Sequence, residues 1–222
     1  MDSPQEIYGR VGVLGGTFDP VHNGHLAVAE TVRQGLALDL LLFVPAFLPP
    51  HKLDHPLTPF AHRAAMLEAA LKGRSGVQVS RLEAQRHSPS YSIDTLRALH
   101  AQLASRGELF FLVGMDAFAE IASWKHYLHL LDYAHLVVVA RPDQCGRSCG
   151  QVVADFFPGY HAESGLACWR GAHGRGCIHT VAMEPVMVSS SAIRQAIRLG
   201  RPIDPMVSPE VAAYIASHGL YR

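Results

Sequence analysis

Short apolar runs alternate with longer stretches of helical period along this chain. Residues 11–14, 40–44, 77–80, 109–113, 135–140 and 177–183 are short runs dominated by Val, Leu, Ile and Phe, the pattern of strands buried on both faces. Residues 23–35, 59–72, 92–105 and 189–199 set Leu, Ala, Met and Ile three and four apart, which predicts helices. Strand, helix, strand in repetition predicts an α/β fold with a doubly wound, mostly parallel sheet covered on both faces. Residues 141–176, rich in Gly, Cys and His, lack either period and are expected to be irregular.

Such sheets bind ligands at the carboxyl ends of their strands. Directly after the first strand comes GGTFDPVHNGHL, residues 15–26. Gly15 and Gly16 remove side chains where the chain leaves the strand, and Pro20 and Asn23 suit a turn into the next helix. Backbone N–H groups at that helix start would face an anion. His22 and His25, three apart, fall on one helix face. The stretch is neither G-x-G-x-x-G nor a G-K-[ST] loop, and no H-E-x-x-H accompanies it. Phosphate suits this combination better than a metal, while a capped helix with two incidental histidines is the plain alternative.

Composition narrows the partners. Lys plus Arg and Asp plus Glu number 19 each, so the net charge is zero and nothing suggests binding to a nucleic-acid polymer. Phosphate recognition must then be local. The first residues, MDSPQEIYGR, carry no apolar leader, and no run approaches the ~18 apolar residues of a membrane span. The expectation is a cytoplasmic protein without membrane attachment. Cys145, Cys149, Cys168 and Cys177 fall in one late segment, unlike a spread disulfide framework, and are expected to be reduced loop cysteines. With His161, His173 and His179 they could make a zinc site, but paired C-x₂-C knuckles are missing.

G-x-F-D-P-x-H-x-G-H at 16–25 and V-S-S-S-A-I-R at 188–194 resemble the two signatures of the nucleotidyltransferase superfamily, the second with Val188 for Ile and Ser191 for Thr. Both replacements keep the needed groups, a hydroxyl and a guanidinium fork. Further stretches, PAFLPPHK (45–52), SYSIDTL (90–96), Gly114 and Asp116 to Trp124, DYAHLVVVARP (132–142) and SPEVAAYIASHGLYR (208–222), narrow the likeness to the bacterial nicotinate mononucleotide adenylyltransferases. That resemblance implies a Rossmann-like sheet with a small C-terminal helical subdomain, in one domain of residues 1–222 with a core at about 8–185 and a helical part at about 186–222. It implies adenylyl transfer from ATP to nicotinate mononucleotide, giving nicotinate adenine dinucleotide and pyrophosphate in NAD biosynthesis.

Site roles follow from the same likeness. His22 and His25 would serve catalysis at the α and neighbouring phosphates. Gly15, Gly16, Thr17, Phe18, Asp116, Ser190, Ser191 and Arg194 would bind ATP, and His51, Lys52, Ser92, Trp124 and Lys125 the mononucleotide. Asp19 would orient the loop. Mg²⁺ is expected to arrive with ATP, since no carboxylate cluster resembles a dedicated cage. Lys125 is a departure, because many members have an aromatic residue or histidine there. A homo-oligomer is left open. The rival functions are another adenylyl or cytidylyl transferase of the superfamily and a nucleotide-sensing module without turnover.

Overall fold

The computed structural model describes residues 7–49, 57–86, 88–140, 146–163, 167–171 and 176–222. Eight strands form one sheet: β1 (Arg10–Gly16), β2 (Leu40–Pro45), β3 (Val77–Val79), β4 (Glu108–Gly114), β5 (His135–Ala140), β6 (Tyr160–Ala162), β7 (Cys168–Gly171) and β8 (Cys177–Ala182). Their order is β3-β2-β1-β4-β5-β8-β7-β6. Pairing is parallel from β3 through β8; β7 pairs antiparallel with β8 and β6 antiparallel with β7, so among the eight strands only β7 runs against the others.

Side chains alternate across the pleat, so each inner strand feeds two cores. Val11, Val13, Phe111, Val113 and Val138 face one core, against Leu96 of α3 (Ser92–His100), Phe118 of α4 (Met115–Ala119) and Val152 of α5 (Cys149–Phe156). Leu14, Phe110, Leu112, Val137 and Val139 face the other. There they meet Val32 of α1 (Asn23–Gly35), Met66 of α2 (Phe60–Leu71), Ile193 of α6 (Ser190–Arg198) and Val211 of α7 (Pro209–Ser217). The C-terminal helices are thereby part of the second layer. Local chemistry starts each of them: Ser189 Oγ accepts the Ala192 amide at 3.2 Å, and Ser208 Oγ accepts the Val211 amide at 3.4 Å with Pro209 opening α7.

The expected strands and the helices at 23–35, 59–72 and 189–199 form within a few residues of the anticipated bounds, while the helix expected at 92–105 ends at His100. The stretch from 141 to 176 departs from expectation. It contains α5, β6 and β7, with α5 started by a reciprocal pair in which Ser148 N donates to Gln151 Oε1 at 2.7 Å and Gln151 N to Ser148 Oγ at 3.3 Å. Elements this short show little periodicity. Nor are the described cysteines loop residues: Cys149 is buried on α5, Cys168 on β7 and Cys177 on β8, all three free. Burial raises the Cys149 thiol to about 12 and, with Cys177 nearby, the Cys168 thiol to about 11. Cys145 and His173 lie outside the described residues.

β1 continues through α1 to β2 on one side, and β4 later pairs on its other side. Strand order therefore reverses at β1, which opens a crevice at the carboxyl ends of β1 and β4. No helix among the described residues is long and apolar enough to cross a membrane.

Candidate active site

Two cavities meet at that crevice, one on each side of the sheet edge. The larger, about 400 Å³, is lined by Gly15, Gly16, Thr17, Ser92, Trp124 and Lys125 among others. The smaller, about 160 Å³, is lined by His25, Val28, Asp116 and Val139. Leu14, Leu112, Val113 and Gly114 border both. A reactant in either cavity thus ends beside a reactant in the other. A separate groove of about 570 Å³ between α6 and α7 contains none of the motif residues expected to meet substrate.

At the start of α1 the two histidines stack, with ring centroids 3.7 Å apart and planes at 22°. The His22 amide donates to His25 Nδ1 at 3.3 Å, which leaves the ring proton of a neutral His25 on Nε2. Burial, and secondarily His22, lowers the His25 pKa to about 3. His25 is thus a neutral donor through the physiological range. The Phe18 ring, 2% exposed, meets His25 edge-on at 4.9 Å and Phe43 at 5.8 Å. Phe18 therefore offers a ligand its backbone, while its ring fixes the imidazole. Gly24 lets the His22 ring and Val188 pack closely, since a Cβ there would sit 3.0 Å from His22 Nδ1 and 3.1 Å from Val188 and push them apart by a few tenths of an ångström.

Beneath this loop lies a set of buried polar groups. Asp19, 5% exposed, accepts the Tyr221 hydroxyl at Oδ1 (2.7 Å) and the Thr58 amide at Oδ2 (3.4 Å). The Asp19 carbonyl accepts Arg194 at 2.7 Å, and the Pro20 carbonyl accepts the Ser190 hydroxyl at 2.9 Å. Arg194 also donates to Ser191 Oγ at 3.2 Å. The second motif is thereby latched onto the first across the chain. Arg63, 1% exposed, donates to the carbonyls of Thr58, Thr17 and Ala46 at 2.7 to 2.8 Å. Burial lowers its pKa, and the Asp19 carboxylate opposes that shift. Burial likewise raises the Tyr221 phenol.

The larger cavity has its own supports. Ser90 Oγ accepts the Phe47 and Leu48 amides at 2.9 and 3.0 Å, and Glu83, also bonded to Thr95 at 2.6 Å, accepts the Phe47 amide at 3.2 Å. Trp124 is half-buried, its ring inclined at 64° to Phe111. Lys125 Nζ is 3.0 Å from Asp94 Oδ2 and 4.5 Å from the centre of the Tyr91 ring. Its charge is therefore partly neutralised within the protein.

Of the residues singled out in the sequence, Gly15, Gly16, Thr17, His25, Ser92, Asp116, Trp124 and Lys125 line the two cavities. Phe18, His22, Ser190, Ser191 and Arg194 stand in the adjoining loop and helix start. His51 and Lys52 lie outside the described residues. Arg63, Tyr221, Glu83 and Ser90 were not singled out as site residues. Arg63 sits in an ordinary helical pattern, and nothing in its neighbours signals a buried guanidinium. Tyr221 falls in the quoted G-L-Y ending, yet sequence alone does not connect it to Asp19.

Comparison with known proteins shows the family of this chain. A cytidylyltransferase-like family model matches residues 13–196. A relative from Pseudomonas syringae pv. tomato, named "probable nicotinate-nucleotide adenylyltransferase", is 40% identical over 214 residues, 96% of this chain and 94% of the relative. The chain belongs to the nicotinate-nucleotide adenylyltransferases, within the cytidylyltransferase-like family. A relative of the same printed name from Geobacter metallireducens is 40% identical over 217 residues, covering 96% and 98% of the two chains. The fold agrees with the solved Plasmodium falciparum nicotinic acid mononucleotide adenylyltransferase complexed with NaAD, with a TM-score of 0.69 at 18% identity over 96% of this chain and 97% of that one. Both motifs lie within the matched span or at its edge, and Tyr221 lies beyond it.

Proposed function

We propose that this enzyme transfers the adenylyl group of ATP to nicotinate mononucleotide, yielding nicotinate adenine dinucleotide and pyrophosphate in NAD synthesis. The observation that carries this reading is the stacked His22–His25 pair at the switch point, with a neutral Nε2–H donor beside the smaller cavity and a separate cavity across the sheet edge. Two compartments sharing one border suit two substrates joined at phosphate.

In this reading ATP takes the smaller cavity with its adenosine toward Asp116, and its phosphates run past Gly15, Gly16, Thr17 and the Phe18 backbone to Ser190, Ser191 and Arg194. The mononucleotide takes the larger cavity, its ring against Trp124 and its ribose phosphate near Ser92, with His51 and Lys52 supplying further phosphate contacts. The phosphate of the mononucleotide attacks the α-phosphorus, the bond to the β-phosphate oxygen breaks, and pyrophosphate leaves. No covalent enzyme intermediate is needed. The protein contributes positioning and donors preset for charge at the α-phosphate. Because His25 stays neutral, it donates a hydrogen bond without moving a proton.

A divalent cation serves such transfers, and we assign Mg²⁺ carried by ATP. Among the described residues no group of three His, Cys, Asp or Glu side chains gathers at the crevice, so phosphate oxygens and water would hold the ion. We further read the chain as one domain acting in the cytoplasm on small molecules. The test is a mass-resolved product assay with ATP and a panel of mononucleotides. Nicotinate adenine dinucleotide as the dominant product is expected; a preferred different acceptor overturns the substrate assignment.

A further inference from the structure

The opposite edge of the same sheet gathers donors that adenylyl transfer does not use. His135 begins β5, while Cys177 begins β8 and His179 follows two residues on. These strands pair in parallel with Leu136 opposite Ile178 and Val137 opposite His179, so the pleat turns all three side chains to one face. Their ligand atoms lie within 4.8 Å of one another. His179 Nε2 is buried and has no hydrogen-bond partner among the described residues. Buried polar atoms without a partner are rare, and an ion is one of the things that explains them.

We propose that His135, Cys177 and His179 form a binding site for a zinc-class divalent cation. Two imidazole nitrogens and one sulfur select such an ion over Mg²⁺, which prefers oxygen donors. Cys177 gives up its thiol proton to solvent as the metal–sulfur bond forms. At His135 the Cys177 amide donates to Nδ1 at 3.0 Å, and Nε2 stands 3.6 Å from Glu108 Oε1. The metal takes Nδ1 in place of that amide, and the Nε2 proton faces the Glu108 carboxylate, the partner that metal-bound imidazoles commonly have. The Phe110 ring, stacked on His135 at 4.7 Å and 15°, holds the imidazole plane.

To reach zinc bond lengths of about 2.0 to 2.3 Å the three side chains close further on one another, and His135 Nδ1 releases the Cys177 amide. Arg10 and Arg170 bring positive charge toward the histidines, and their pairing with Glu108 at 3.2 Å and Glu163 at 2.6 Å, together with the Cys177 thiolate, offsets it. Three protein donors leave one position for water. The site lies at the amino ends of β5 and β8 and the crevice at the carboxyl ends, so this ion is distinct from one carried by ATP. Bound there, it ties β5 to β8.

The full chain, stripped with chelator and dialysed against zinc, is expected to retain one equivalent. Cobalt(II) in its place is expected to give a sulfur-to-metal charge-transfer band and tetrahedral ligand-field bands. Cys177→Ser should abolish the charge-transfer band. His179→Gln should weaken binding at least tenfold while leaving the metal-free melting temperature nearly unchanged, which keeps the test valid if Cys177→Ser fails to fold. Cys149→Ser, in the core on the other face of the sheet, should leave the spectrum intact. Failure to retain stoichiometric zinc overturns the proposal, as does a cobalt spectrum that survives replacement of both His135 and His179. The adenylyl-transfer assignment does not depend on either result.

Discussion

At the carboxyl edge of the sheet the chemical groups come from contiguous stretches, with Gly15 to His25 running from the end of β1 through a loop into α1 and Ser189 to Arg194 in one helix start. At the amino edge, His135, Cys177 and His179 are brought together only by the pairing of β5 with β8. The first arrangement writes its spacing into the sequence, because a loop and the helix that follows it fix geometry locally. The second depends on register between strands more than 35 residues apart and leaves no spacing signature. Sites carried by loops and sites carried by register thus differ in how they can be found, although one fold holds both.

The largest effect expected is at the carboxyl edge. His25→Ala should lower kcat by about 10² to 10³, the usual loss for one preorganised donor, with little change in ATP affinity. Steady-state kinetics with an independent ATP-binding measurement check this, and near-wild-type turnover would remove His25 from the reaction. The same residue gives a stability signature. Its folded pKa of about 3 lies below that of a free imidazole, so the unfolded chain binds the extra proton. Stability from this residue is complete above about pH 6.5 and is lost as the pH falls toward 3, and His25→Gln should flatten that part of a pH–denaturation profile.

Next comes Arg194, which joins the two motifs through the Asp19 carbonyl. Arg194→Ala should raise the KM for ATP by about ten- to a hundredfold, the scale of a lost charge-assisted bond, and Arg194→Lys should fall between. If neither moves ATP kinetics, the second motif serves only to start α6. Tyr221→Phe should act more mildly, because Asp19 keeps the Thr58 amide when it loses the phenol. A loss of about 1 to 2 kcal/mol in stability and a several-fold drop in kcat are expected, read by denaturant melts and initial rates. An unchanged kcat would detach the C-terminal segment from the crevice.

The smallest effect concerns Lys125. Its ammonium is shared between Asp94 and the Tyr91 ring, and exposed pairs of this kind contribute little. Lys125→Ala should therefore change the ratio of kcat/KM for nicotinate over nicotinamide mononucleotide by less than about threefold. A collapse of that ratio would place acid recognition in this side chain.

How much was legible follows the same division. The strands feeding both cores announce themselves because inner strands of a parallel sheet must be apolar on both faces, as Leu41 to Val44 and Leu109 to Val113 are. The loop with His22 and His25 was legible from its glycines and histidines. α5, β6 and β7 were not, since a three-residue strand such as Tyr160–Ala162 has too few positions to show a period. Arg63 was hidden for a different reason: its burial is decided by three carbonyls from separate segments, Thr17, Ala46 and Thr58, which only the folded chain brings together.

The most direct test of the account is the competition between the two pyridine mononucleotides at subsaturating concentration with ATP. The substituents are nearly equal in volume, so discrimination must come from hydrogen bonding: a carboxylate accepts at both oxygens, whereas an amide turns a donor toward one of the site's donors. Sites built on such matching can reject the wrong analogue by roughly 10⁴ or more. The account predicts that nicotinate mononucleotide is favoured at least about a hundredfold in kcat/KM; equal efficiencies for the two would contradict it and leave only adenylyl transfer to an unassigned acceptor.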